Sequence, residues 1–184
     1  FHEFGHALHS LFSQVHYAGI GGVEQDFVEL PSQLMENWAF EPDMLRMYAK
    51  HYQTGDPMPD DLIEKIQRSA LFNQGLTELL AASLSDMDIH TITQYRPIDL
   101  NAFEKEMLNG KRGLIPQIEP RYRYPYFAHI FGGGYAAGYY SYIWAEVLDK
   151  DAYEAFVESG DIFDRTTAES YRKNILERGG SEGG

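Results

Sequence analysis

His2, Glu3 and His6 stand at the spacing H-E-x-x-H. Residues four apart on an α-helix lie one turn above each other, so the two imidazoles point the same way and can share one metal ion. Neutral imidazole is a good zinc ligand, and two of them fill half of a tetrahedral shell. Glu3, beside them, is placed to take a proton from a water held at that metal. The chemistry needs a helix. Ala7, Leu8, Leu11, Phe12 and Val15 recur at helical spacing with no proline before Pro31, which predicts a helix from Phe1 to about Tyr17. Ala18-Gly19-Ile20-Gly21-Gly22 then breaks it.

A catalytic zinc takes three protein ligands and keeps one position open. The acidic residues of the next segment, Asp26, Glu29 and Glu36, are the candidates for the third. The glycine break lets a second helix, predicted from Asp26 to about Phe40, fold back on the first. Glu29 and Glu36 are seven residues apart, so they share a helix face but differ in height by roughly 10 Å, and only one can ligate. We take Glu29 as the ligand, with Asp26 or Glu36 hydrogen-bonding a ligand histidine. Asp26 also fits an N-cap with Glu29 three residues on, which puts Pro31 near the first turn, where its missing N–H does least harm.

A second stretch, from Tyr124 to Tyr142, is dense in aromatic residues and glycine. Amide hydrolysis builds negative charge on the carbonyl oxygen, and a phenol or an imidazole N–H is a suitable neutral donor to it. Tyr135, Tyr139 and Tyr142 recur at helical spacing, so a helix from Tyr135 to Asp149 would carry three phenols on one face. His129 and the glycines at 132–134 precede them, and glycine allows a peptide or another backbone to approach closely. Arg121 and Arg123 lie just upstream, and the fork of an arginine matches the free carboxylate of a peptide.

His2-Glu3-Phe4-Gly5-His6-Ala7-Leu8-His9, Asp26-Phe27-Val28-Glu29-Leu30-Pro31-Ser32-Gln33 with Glu36-Asn37-Trp38, and the run from His129 to Tyr142 together resemble the zinc oligopeptidase family. That family includes thimet oligopeptidase, neurolysin, oligopeptidase A and peptidyl-dipeptidase Dcp. The resemblance implies Zn2+ as cofactor, bound by His2, His6 and Glu29, with Glu3 as general base. It implies that His129, Tyr135 and Tyr142, together with Tyr139, contact the peptide and stabilise the transition state. Pro120-Arg121-Tyr122-Arg123 and the triple glycine look closer to the peptidyl-dipeptidase branch, which implies release of C-terminal dipeptides from short peptides. The alternatives are an oligopeptidase A-like metalloendopeptidase and, from another class, an inactive peptide-binding or scaffold fragment. Because the chain opens inside the metal motif, residues 1–184 are expected to be the C-terminal catalytic portion of a longer protein, with upstream and terminal parts missing.

The rest of the chain must position these groups. Its 184 residues suffice for one core, and 43% of them are hydrophobic, as suits a globular protein. A net charge of -13 argues against nucleic acid as a partner, since phosphate repels it. No apolar run approaches the ~20 residues of a membrane span. Cysteine is absent, which excludes disulfides and thiolate ligands and fits a reducing compartment, so a cytoplasmic location is expected, with the periplasm as alternative. Further helices are predicted over Met44–Tyr52, Asp60–Asn73, Leu76–Thr91, Leu100–Leu108 capped by Asp99, Ala152–Ser159 and Thr167–Leu176. Three prolines make 114–126 irregular, and the tail from Arg178 is expected to fray. The class is all-α, with room for a short β-ribbon near the glycines that follow the first helix.

Overall fold

The computed structural model describes residues 1–70, 78–93 and 97–181. Its helices run α1 (His2–Phe12), α2 (Leu30–Ala39), α3 (Pro42–Tyr48), α4 (Asp60–Ala70), α5 (Glu78–Thr93), α6 (Leu100–Lys105), α7 (Ala128–Phe131), α8 (Ser141–Ser159) and α9 (Arg165–Asn174). The protein is all-α. Among the described residues no strand forms, and a single antiparallel bridge joins Lys50 to Pro57. None of the described helices is long and apolar enough to cross a membrane.

The short ribbon is therefore corrected, and the reason is where its glycines go. Gly180 donates its N–H to the Ile20 carbonyl at 2.9 Å, and Gln14 donates to the Glu177 carbonyl at 2.9 Å. A Cβ on Gly180 would sit 2.0 Å from the Gly22 carbonyl oxygen, so this approach of two backbones requires glycine. The tail is thus packed rather than frayed as far as it is described, with Gly179 buried; residues 182–184 lie outside the described residues.

The same pairing shortens α1. Ser13 leaves the helix at φ -53° and ψ 123°, and the next amide turns to Glu177 instead of extending the helical ladder to Tyr17. α2 also begins later than its pattern suggested. Phe27 and Val28 donate to the Glu24 carbonyl in a separate turn, and Glu29, not Asp26, occupies the cap position. Pro31 still falls in the first turn of α2. α3 stops at Tyr48, and α8 is one helix where two were expected. The predicted end of α4 at residues 71–73 and the predicted start of α5 at 76–77 lie outside the described residues.

The chain divides into two compact units, Phe1–Gly75 with Ala145–Gly184, and Leu76–Trp144 inserted between them in sequence. In the first, α1 packs on α2 across Gly5, where a Cβ would meet the Pro31 carbonyl oxygen at 2.3 Å. Leu30, Leu34, Leu45, Ile63, Phe156 and Leu176 form its buried core. Full burial of such a leucine contributes about 2 kcal/mol. Trp38 of α2 stands edge-on to Tyr153 and Phe156 at 4.9 Å each and donates its indole N–H to the Ile162 carbonyl at 2.9 Å. Asn37 donates to the buried Asp149 carboxylate at 3.0 Å. These contacts anchor the helix whose first turn follows Glu29 and whose middle carries Glu36.

The second unit is built on Ile89, Phe103, Met107, Tyr124, Phe127, Ile130 and Tyr139. Asp99 caps α6 as expected, its Oδ1 accepting from the Asn101 and Ala102 amides at 3.0 and 3.1 Å. A wide π-type turn over Glu106–Lys111 continues α6 beyond Asn109 and Gly110.

Candidate metal centre

His2 and His6 project from the same side of α1, their ring centroids 5.1 Å apart. Glu29 precedes α2 in a helical backbone conformation (φ -87°, ψ -4°) and is 2% exposed. Because Gly5 lets α1 and α2 touch, the Glu29 carboxylate reaches both rings. Its Oε2 lies 3.3 Å from His2 Nε2 and 3.3 Å from His6 Nε2. Ser32 donates its hydroxyl to the same Oε2 at 2.7 Å and orients it. One ligand atom from each of His2, His6 and Glu29 lies within 4.8 Å of the other two. Among the described residues no other group of histidine, aspartate and glutamate side chains converges in this way.

Glu36, seven residues further along, takes the other nitrogen of His2: its Oε1 is 2.6 Å from Nδ1. The tautomer that donates Nδ1–H to Glu36 leaves a lone pair at Nε2. That lone pair faces a carboxylate oxygen, itself an acceptor only. Two such acceptors 3.3 Å apart are satisfied by a cation shared between them. Two imidazole nitrogens and one carboxylate oxygen, with the rings one-third exposed, are a donor set that fits a metal ion with an open coordination position.

Glu3 is exposed on α1 next to His2, and Asp26 is half-buried in the turn that leads to Glu29. His9, one turn beyond His6, is buried and its Nε2 makes no hydrogen bond among the described residues. Burial, then the neighbouring His6, lowers its pKa and keeps the ring neutral. A third histidine in register with the first two was visible in the sequence, and its burial was not.

The aromatic residues gather in the second unit, but not as a helix face. Tyr135 and the turn over residues 136–140 precede α8, Tyr142 lies inside α8, and His129 belongs to α7. This corrects the three-phenol helix. The reason is Asp86, fully buried on α5, whose carboxylate accepts from the Ala137 and Tyr139 amides at 3.0 Å each and so holds the backbone out of helix. The rings nevertheless converge. His129 lies 6.0, 5.7 and 6.3 Å from the ring centroids of Tyr135, Tyr139 and Tyr142, and Tyr135 stacks on Tyr142 at 5.2 Å. Asp86 was not singled out from the sequence; the signal available was an Asp–His pair at i and i+4, Asp86 and His90, on one helix.

The two arginines differ. Arg123 is ion-paired with the buried Glu104, which also accepts from the Tyr124 amide at 2.9 Å, and lies 3.7 Å from Glu119. Arg121 is exposed, with its guanidinium 5.4 Å from the Tyr122 ring centroid, and carries no ion pair among the described residues.

Comparison with known proteins adds a second line of observation. A model of peptidase family M3 matches residues 1–183. The chain is similar to dipeptidyl carboxypeptidase of Escherichia coli (strain K12), 48% identical over 187 residues that cover 99% of this chain and 27% of that protein. It is similar to oligopeptidase A of the same strain, 45% identical over 188 residues, again 99% and 27%. To saccharolysin of Saccharomyces cerevisiae it is 33% identical over 190 residues, 98% of this chain and 26% of the relative. The chain therefore spans little more than a quarter of the length of these curated relatives.

Proposed function

The chain belongs to peptidase family M3, and from that premise we propose that it is the C-terminal catalytic portion of a zinc metallopeptidase that hydrolyses short peptides and releases C-terminal dipeptides. The observation that carries this reading is the convergence of His2 Nε2, His6 Nε2 and Glu29 Oε2, with Glu36 Oε1 2.6 Å from the other nitrogen of His2. Zinc bound there supplies a Lewis acid for the scissile carbonyl and acidifies water at neutral pH. Everything else is work for the chain's own side chains. Glu3 accepts the proton of the attacking water and passes it to the leaving amine. Tyr142, with His129 and Tyr135, donates to the oxygen on which negative charge grows, and Tyr139 walls the bound peptide. Ser32 and Glu36 hold the ligands in place, and Asp26 supports the turn before Glu29.

For the peptidyl-dipeptidase mode the enzyme must measure a fixed distance to the substrate's free carboxylate. Arg121 is the better of the two cations for this, since Arg123 is engaged by Glu104. That engagement, and the near-equal similarity to oligopeptidase A, also favour a second reading as a metalloendopeptidase. Mass spectrometry of products from peptides with free and with amidated C-termini, using the full-length protein, decides between them. Dipeptides released only from free acids are expected; efficient internal cleavage of amidated peptides sinks the first reading. Zinc content without turnover in the full-length protein would leave a peptide-binding scaffold. A cytoplasmic rather than periplasmic location rests on the cysteine-free composition and is tested by cell fractionation.

A further inference from the structure

The tyrosine-rich segment has the pattern of a helix and is not one. In a helix Tyr135 and Tyr142 would be two turns apart, a rise of about 10 Å, yet their rings stack at 5.2 Å. The backbone between them turns through Ala137, which at φ +54° is the one non-glycine residue in the left-handed region among the described residues. An alanine adopts that conformation against its own preference, so something else must hold it there.

A charged group, Asp86, bonds this turn. It is 0% exposed, its Oδ1 accepts from the Ala137 amide and its Oδ2 from the Tyr139 amide, both at 3.0 Å. His90, one turn along α5, places Nδ1 3.0 Å from the Asp86 carbonyl oxygen and 2.8 Å from Oδ1, so its ring lies against the carboxylate. Hydrogen bonds to an ionised acceptor are the strong ones, and two of them grip amides two residues apart, bracketing the loop that a helix would have to straighten. We propose that Asp86, flanked by His90, is a positioning residue: it holds the 136–140 turn so that Tyr135, Tyr139 and Tyr142 converge on His129. Its catalytic consequence rests on the reading of Tyr142 as an oxyanion donor; its hold on the turn does not.

The test uses the full-length, metal-loaded protein and two measurements. Asp86→Asn keeps the size of the side chain but turns an N–H donor toward one of the amides. It is expected to lower kcat/KM on a short peptide by on the order of 100-fold, and by no more than about threefold when Tyr142→Phe is already present. Equal losses in both backgrounds would mean a general structural role and overturn the proposal. Independently, a fluorotyrosine placed at position 142 should show a shifted fluorine resonance in Asp86→Asn at unchanged metal content. An unchanged resonance overturns the proposal whatever the kinetics. A shifted resonance with a fully active Tyr142→Phe keeps Asp86 as the holder of the turn and removes Tyr142 from the chemistry. Should Asp86→Asn fail to fold, His90→Gln changes a partly exposed side chain and one hydrogen bond. It is expected to give about a fivefold loss that vanishes with Tyr142→Phe, and the same two contrary results overturn the proposal.

Discussion

In the first unit His2 and His6 share one helix and Glu29 stands at the entrance of the next, whereas in the second unit His129, Tyr135, Tyr139 and Tyr142 come from a short helix, a turn and the start of a long helix. The histidine spacing is a property of any helix, and the distance to Glu29 is fixed by one close contact, Gly5 on Pro31. The aromatic group has no such local frame. Its geometry depends on a carboxylate that lies 51 residues upstream of the amide it holds. A metal centre built this way is set by local geometry, while the donor cluster, whose Tyr139 is also part of the second unit's core, is set by a turn clamped from a distance.

The largest effect should come from the metal centre. Glu3→Gln keeps the shape of the side chain and both neighbouring histidines but removes the base. Turnover by the full-length protein should fall by several orders of magnitude, roughly 10³-fold or more, with zinc content unchanged. Near-normal activity in a zinc-loaded variant rules out the assignment. Next in size, Glu29→Gln should empty the site, because it replaces the carboxylate that the two imidazoles face. Glu36→Gln removes only the partner of His2 Nδ1 and should weaken zinc binding by about 10- to 100-fold. Metal analysis after dialysis separates the two, and a reversed order would make Glu36 the ligand.

A third substitution tests what sets the geometry of the centre. Gly5→Ala puts a Cβ 2.3 Å from a backbone oxygen, which no side-chain rotation can relieve. The helices must part, costing about 3 kcal/mol of stability and moving Glu29 away from both rings. We expect a lowered Tm together with lost zinc. A stable variant with full zinc would show that the α1–α2 contact is not what sets the ligand distance.

The contrast also explains what could be read in the sequence. The approach of His2, His6 and Glu29, and of Glu36 to His2, was legible because helical spacing and a single chain reversal decide where they go. The Asp99 cap was legible for the same reason. The end of α1, the packed C-terminal glycines and the Tyr135–Tyr142 turn were not, because each is decided by a partner far away in sequence: Glu177 for Gln14, Ile20 for Gly180, Asp86 for Ala137 and Tyr139. In the last case the local pattern pointed to the wrong structure, since tyrosines at positions 135, 139 and 142 read as a helix face until the buried carboxylate is known. Arg123 belongs here too: its alternation with Tyr122 and Tyr124 was visible, its ion pair with Glu104 was not.

The smallest expected effect sharpens the comparison from the side of the second unit. Tyr124 is buried in its core, donates its hydroxyl to the Ser85 carbonyl at 2.9 Å and also bonds the Ser85 hydroxyl. Burial pushes its phenol from 10.0 up to about 12, the Ser85 bond opposing and the nearby carboxylates of Asp88, Glu104 and Asp86 adding to the rise. A phenol whose pKa is raised on folding keeps its proton more tightly in the folded state. Its contribution is therefore complete below the unfolded value of 10.0 and is lost as the pH climbs through about 12. Thermal unfolding followed from pH 8 upward should show stability falling in that window. Tyr124→Phe should be less stable at neutral pH by about 1–2 kcal/mol, because a buried carbonyl and hydroxyl lose their partner, but its decline between pH 10 and 12 should be shallower. Zinc content at neutral pH should match the unsubstituted protein, since every proposed ligand lies in the first unit. Parallel alkaline profiles for the two proteins would show that Tyr124 titrates no differently folded than unfolded, and zinc lost from Tyr124→Phe would show that the metal centre depends on the second unit's core.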